Sequence, residues 1–322
     1  MGNLPTLLEV IDARRRIQRH IVRTPLHHYP SLDQLIGAEV YVKHENHQLL
    51  GSFKMRGALN VVSQLTDREK KLGVICASTG NFGQGVAYAA NQFGVSAVVV
   101  MPEDSNIDKI DSMRRLGADT LFHGKDFDDA REYAEQLSRD KGYAYVHSAN
   151  DPGLVLGVGT YSLEIMEDLP DVEAIIVPVG GGSGVCGACV VSKALNPDVQ
   201  VYGVQSSAAN AAYLSWKQGQ IIQSTMGTGA EGLATRSGYE YTQAIMRELM
   251  DDFILVSEEE LDRAVILHLE NSHNLTEHAG AASLAGALQI KEKLTGKKIA
   301  LVMSGGNITV DQLQDLLNRY RS

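Results

Sequence analysis

Lys54 lies in the stretch LGSFKMRGALN, residues 50–60, between Phe53 and Met55 and just ahead of a helical-looking run. An amine in apolar surroundings holds its proton less firmly. Free lysine titrates near about 10.4, and bringing that to neutrality takes about 4 kcal/mol, which desolvation can supply. A neutral lysine attacks carbonyls, so Lys54 is a candidate Schiff-base nucleophile and general base. Taken alone, the residue has a commoner fate: a charged head carried to the surface on an apolar stem.

A second chemical signal is the loop VGGGSGVCG, residues 179–187. Gly180, Gly181, Gly182, Ser183 and Gly184 follow an apolar strand and open a helix, so backbone amides can converge on an anion with no side chain in the way. The helix field offers about 0.3–1 kcal/mol. Amide bonds to a charged phosphate add about 1.5–3 kcal/mol each. Gly182 to Gly187 also spells G-x-G-x-x-G, which admits a nicotinamide dinucleotide. That fingerprint wants an acid at the end of the next strand, about 20 residues on. Here the strand QVYGVQSS ends in Gln205, Ser206 and Ser207, which favours a cofactor with a single phosphate. A glycine-rich helix start made for close packing is the alternative.

The elements that must position these residues are legible at a coarser level. The 322 residues, 44% of them hydrophobic, are enough for two cores. A net charge of -10 repels phosphodiester backbones and anionic lipid, so neither nucleic acid nor membrane is an expected partner. No stretch approaches the roughly 18 apolar residues of a membrane span, and a cytoplasmic location is expected. MGNLPT fits the loose myristoylation pattern through Gly2 and Thr6, a pattern short enough to match by chance. Cys76, Cys186 and Cys189 are too few for a disulfide framework. Cys186 and Cys189 match C-x-x-C, but among small residues after a glycine loop they read as close packing rather than a redox pair.

From residue 73 onward, short β-branched runs alternate with helical patterns: GVICAST, SAVVVMP, DTLFHG, YAYVHS, AIIVPVG, VYGVQ, DFILVS and IALVMSG are the strands. Alternation of this kind reads as parallel α/β. Residues 126–139 and 258–271 carry apolar positions at helical spacing. The strands form two groups of four, with a helix around 157–168 between them. The expected fold is α/β, two doubly wound open-sheet domains facing a cofactor cleft. A small domain covers residues 51–148, and a large cofactor-binding domain covers 1–50 and 149–322, the segment through VYVKHE returning to the second sheet. Functional loops gather at the carboxyl ends of strands in such sheets. Those that stand out are SFKMRG, STGNFGQG, VGGGSGVCG and SGGN.

In this order, and over essentially the whole chain, SFKMRGALN, STGNFGQG, VGGGSG, TEHAGA and SGGN resemble the fold-type II pyridoxal-phosphate enzymes of the threonine dehydratase and serine racemase group, with a tryptophan synthase β-like architecture. The resemblance implies that Lys54 carries the cofactor pyridoxal 5'-phosphate as a Schiff base. It also implies that Phe53 packs on the cofactor ring, Asn81 bonds its phenolic oxygen, and Gly180 to Gly184, Ser183 included, hold the phosphate. Ser304 faces the pyridine nitrogen and Glu277 lies near the ring. Ser78, Thr79 and Asn81, with loop amides, clamp the substrate carboxylate. Residue by residue, helix capping by Asn81 and an ordinary turn at Ser304 stay open.

The implied activity is that of a threonine or serine ammonia-lyase, a carbon-nitrogen lyase giving a 2-oxo acid and ammonia by α,β-elimination. Serine racemase, or a dehydratase for 3-hydroxyaspartate or phenylserine, is the alternative within the family. A dinucleotide oxidoreductase or a noncatalytic metabolite-binding protein is the alternative outside it. Phe82 stands where the family often has histidine, and His278 stands where proline is usual after Glu277. In serine racemases a serine before the Gly-Asn pair acts as second acid/base, and here that position is Thr79. No metal is expected, because Gln205 and Ala211 occupy the positions where the family's cation site has acids. A homodimer is the expected assembly.

Overall fold

The structure is a computed structural model that describes residues 4–321, with side chains through residue 320. Gly2 of the myristoylation pattern lies outside the described residues. Thr6 is spent on a capping box with Glu9 that opens the helix Leu7–Ile17. Among the described residues no helix is long and apolar enough to cross a membrane.

In chain order the strands are β1 Leu26–His28, β2 Glu39–His44, β3 Val74–Ala77, β4 Ala97–Met101, β5 Asp119–Phe122, β6 Ala144–Tyr145, β7 Ala174–Pro178, β8 Gln200–Ser206, β9 Asp252–Val256 and β10 Lys298–Met303. Each apolar run read as a strand forms one, although YAYVHS yields only the two residues of β6. The helical spacing at 126–139 becomes the helix Phe127–Lys141, because the Asp126 carboxylate accepts from the amides of Asp128 and Asp129 at its start. The helix Glu258–Asn271 is opened by a Ser257–Glu260 capping box.

Backbone contacts divide the chain into two compact units: Met1–Val22 with Phe53–Thr160, and Arg23–Ser52 with Tyr161–Ser322. The first contains a parallel four-stranded sheet in the order β5-β4-β3-β6. β3 and β4 are buried along their whole length, as continuous apolar strands covered on both faces must be. The second contains a six-stranded sheet in the order β1-β2-β10-β7-β8-β9, parallel except where β1 pairs antiparallel with β2. VYVKHE supplies β2, which runs beside β10 from Glu39 opposite Lys298 to His44 opposite Met303.

Each sheet reverses its strand order once. In the first unit the chain steps outward through β3, β4 and β5, then returns to place β6 on the other flank of β3. In the second it steps through β7, β8 and β9, then returns to place β10 on the other flank of β7. Loops leaving the carboxyl ends of the strands that flank such a reversal diverge to opposite faces and leave a crevice for ligands. Those loops are STGN after β3, the glycine loop after β7 and SGGN after β10.

In the second unit the fully buried Lys43 of β2 donates from Nζ to Glu164 Oε2 at 2.6 Å and to Thr24 O at 2.7 Å. Such a pair gains little by itself, but deleting one partner leaves the other charged and dry. Glu164→Ala is expected to cost about 3–5 kcal/mol, read as a lowered urea midpoint. The joint replacement Lys43→Met with Glu164→Leu should recover most of that loss, and an equal or larger loss in the double variant would refute the argument.

Candidate active site

In the first unit Lys54 is the first residue of the helix Lys54–Ser63, and Phe53 occupies the cap position without a side-chain cap bond. The Lys54 Nζ lies 5.1 Å from the centroid of the Phe53 ring. A helix N-terminus carries partial positive charge, so its field opposes a charged ammonium there. Behind the lysine, a Cβ on Gly85 would stand 3.2 Å from Met55 Cα and 3.4 Å from the Lys54 carbonyl carbon. Only glycine lets the helix Asn81–Gln92 approach the Lys54 backbone this closely.

That second helix begins where STGN ends. Ser78 Oγ accepts from Gly83 N at 2.9 Å and Gly80 N at 3.2 Å, so this hydroxyl shapes the loop after β3. Thr79 and Asn81 are half-buried. Asn81 is the first helical residue and Gly80 the cap, with no side-chain cap bond, so the reading of Asn81 as a helix cap does not hold. Phe82 is only 4% exposed and packs as a core residue.

In the second unit the glycine loop follows β7. Val179 N bonds Val204 O at 2.7 Å, and Cys186 N bonds Gly182 O at 3.0 Å. Between them, the amides from Gly180 to Val185 have no acceptor among the described residues. Gly182, the cap of the helix Ser183–Leu195, has φ +97°, a left-handed conformation open mainly to glycine. A Cβ on Gly180 would collide with Gly232 O. Uncapped amides at a helix N-terminus, kept clear of side chains, are what an anion such as a phosphate requires. Cys186 and Cys189 lie buried in this helix as free thiols. Burial pushes both thiols well up, which leaves them unreactive. Gln205 at the end of β8 is spent on protein groups, accepting from Tyr213 N at 3.0 Å.

SGGN is braced from two directions, which its own sequence does not reveal. Gly306 N bonds Gly51 O at 2.9 Å, Asn307 Nδ2 bonds Leu50 O at 2.8 Å, and Ser52 bridges Gly305. On the other side Thr276 Oγ1 donates to Gly305 O at 2.8 Å, and Glu277 N bonds the same oxygen at 3.2 Å. A side chain on Gly305 would collide with the Glu277 carboxylate. Ser304, 7% exposed, is therefore held on a fixed loop rather than an ordinary turn. Glu277 caps the helix His278–Gln289 by position but makes no side-chain cap bond to it. His278 instead turns to Asp262, with Nε2 and Oδ1 3.0 Å apart. Thr276 and Gly51 are the positions that sequence reasoning missed. Their signal is that Thr276 opens TEHAGA and Gly51 directly precedes SFKMRG.

Known proteins carry the same plan. The family described as pyridoxal-phosphate dependent enzyme matches residues 17–305. The chain is 40% identical over 315 residues to an L-threonine ammonia-lyase of Thermotoga maritima, covering 98% of this chain and 78% of that one. It is 34% identical over 316 residues to an L-threo-3-hydroxyaspartate ammonia-lyase of Saccharomyces cerevisiae, covering 98% and 97%. The solved serine racemase of Dictyostelium discoideum superposes with a TM-score of 0.89 at 34% identity, covering 95% and 99%. This chain belongs to the pyridoxal-phosphate dependent enzyme family, in its fold-type II branch of threonine and serine dehydratases.

Proposed function

We propose that this chain is a pyridoxal-phosphate-dependent ammonia-lyase that converts L-threonine or L-serine to a 2-oxo acid and ammonia by α,β-elimination. The observation that carries the reading is its likeness, over nearly the whole chain, to L-threonine ammonia-lyases. The residues that would hold the cofactor are Phe53, Lys54 and Asn81, with Gly180 to Gly184, Glu277 and Ser304. The acceptor-free amides of the glycine loop fit its phosphate.

When bound, the cofactor supplies an electron sink for the charge left on the substrate α-carbon. The protein supplies the rest. Thr79, Asn81 and the loop amides take the substrate carboxylate, with Ser78 holding that loop in shape. Lys54 Nζ removes the α-proton as general base, the β-hydroxyl takes up a proton and departs as water, and hydrolysis of the released enamine gives the 2-oxo acid and ammonia. A serine at position 304 brings no negative charge to the pyridine nitrogen, which keeps the sink moderate and favours elimination over deeper carbanion chemistry. The yeast relative favours a second reading, 3-hydroxyaspartate as substrate. Ammonia release from threonine, serine, 3-hydroxyaspartate and phenylserine at equal concentration ranks these substrates directly.

Lys54→Ala is expected to remove turnover and the long-wavelength absorbance that borohydride fixes to the wild-type chain, while circular dichroism stays unchanged. A folded Lys54→Ala protein releasing ammonia at the wild-type rate would overturn the assignment.

The partition of serine tests the residue before Gly80-Asn81. Racemisation needs a second acid/base on the face opposite the lysine. Thr79 stands at the position to which the resemblance gives that role and keeps a hydroxyl, but its extra methyl stiffens the side chain and would crowd a site where reacting atoms must approach within about 3–3.5 Å. Pyruvate should therefore far exceed D-serine in chiral analysis at partial conversion, and Thr79→Ser should raise the D-serine share. D-serine accumulating as fast as pyruvate in the wild type would make the protein a racemase.

A further inference from the structure

We propose that Thr242 is a positioning residue of the phosphate subsite: its hydroxyl fixes the peptide plane between Gly181 and Gly182 so that the Gly182 N–H faces the anion. The inference rests on the assignment of the glycine loop to the cofactor phosphate. A trans peptide is planar, with its C=O and N–H pointing in opposite directions. Whatever holds the carbonyl therefore aims the following amide. Thr242 Oγ1 donates to Gly181 O at 2.7 Å, a short bond from a side chain with no solvent exposure. The amide in the same plane, Gly182 N–H, has no acceptor among the described residues.

This plane needs an external restraint. Like the Gly180–Gly181 plane before it, it lies between two glycines, each free to take either sign of φ. Rotation of the whole peptide is cheap at such a junction, and a flipped plane would present a carbonyl lone pair to the phosphate in place of a donor. The Thr242 side chain also occupies the space beside Gly182, where a Cβ would lie 3.0 Å from Thr242 Cβ. Thr242 is itself tied to the helix that the loop opens, since Cys186 Sγ donates to Thr242 O at 3.3 Å. Its hydroxyl has a longer alternative acceptor, Tyr239 O at 3.3 Å.

Two other hydroxyls reach the loop, and neither does the same job. Thr235 Oγ1 lies 3.5 Å from Gly180 O, too long for a firm hold. The buried Tyr161 hydroxyl donates to Gly184 O at 2.8 Å, but Gly184 belongs to the helix Ser183–Leu195, which already sets that plane. Tyr161 is thus an internal control: a buried hydroxyl on a loop carbonyl whose removal costs stability without redirecting an amide.

The experiment compares apparent dissociation constants of the apo protein for pyridoxal phosphate and for pyridoxal, which lacks the phosphate, by absorbance titration. Thr242→Val removes the hydroxyl and keeps the shape. It should weaken pyridoxal phosphate binding about tenfold, the worth of one net hydrogen bond, and leave pyridoxal binding unchanged. Thr242→Ser should restore the wild-type ratio, and Tyr161→Phe should keep it despite a lower melting temperature. Thr242→Ala is the second hydroxyl-free variant should the valine variant fail to fold. An unchanged pyridoxal phosphate constant in the hydroxyl-free variants, or an equal loss for both ligands, would overturn the positioning role while leaving the phosphate assignment standing. A wild-type protein that binds the two ligands equally would overturn the phosphate assignment itself, and this inference with it.

Discussion

Backbone amides can hold an anion only if nothing else claims them. The glycine loop of the second unit keeps its amides in that condition. The amides from Gly180 to Val185 lack acceptors among the described residues because the loop leaves β7 after Val179 and does not enter the helical ladder until Cys186. Side chains are excluded on both flanks, by Gly232 O against Gly180 and by Thr242 against Gly182. The loop thus keeps its donors available at a cost in conformational order that must be met elsewhere, from the packed helix Ser183–Leu195 and the helix Glu240–Leu249.

The role proposed for Lys54 sets the first unit a different constraint: an amine that must lose its proton. Its means are the same ones, a helix N-terminus and glycine packing. Lys54 sits at the positive end of its helix beside an aromatic ring, and Gly85 lets a second helix press against its backbone. The same N-terminal field that favours a phosphate at Ser183 disfavours an ammonium at Lys54. One backbone feature therefore serves opposite electrostatic ends, decided only by whether the group placed there carries negative or positive charge.

Much of this was legible in the sequence because the signals are local. Runs such as AVVVM and AIIVP are apolar on both faces and short, which suits buried parallel strands. β1 was not legible, since LHH is three residues of mostly polar, exposed edge. Glycine spacing announced the loop after β7, and Lys54 stood out by its apolar flanks. What the sequence hides is everything held by partners far along the chain. Thr242 lies some sixty residues beyond the carbonyl it holds, inside an amphipathic helix with no motif of its own. The brace of Gly305 by Thr276, and of Gly306 by Gly51, joins segments whose adjacency exists only after the sheet has formed.

The departures from the family pattern make sense in the same terms. A histidine after Glu277 looks like a threat to the ring environment when read along the chain, since it is adjacent to a site residue. On a helix, adjacent residues point about a hundred degrees apart, and His278 bonds Asp262 on the neighbouring helix Glu258–Asn271. Proline at a first helical position offers a fixed φ and one less donor to satisfy. A histidine there gives up that preorganisation and gains a tie between two helices. Phe82 follows the opposite logic: the second residue of its helix points into the core, so an apolar ring is at home where a polar one would need a partner. Phenylalanine at this position therefore keeps the packing that holds the loop after β3.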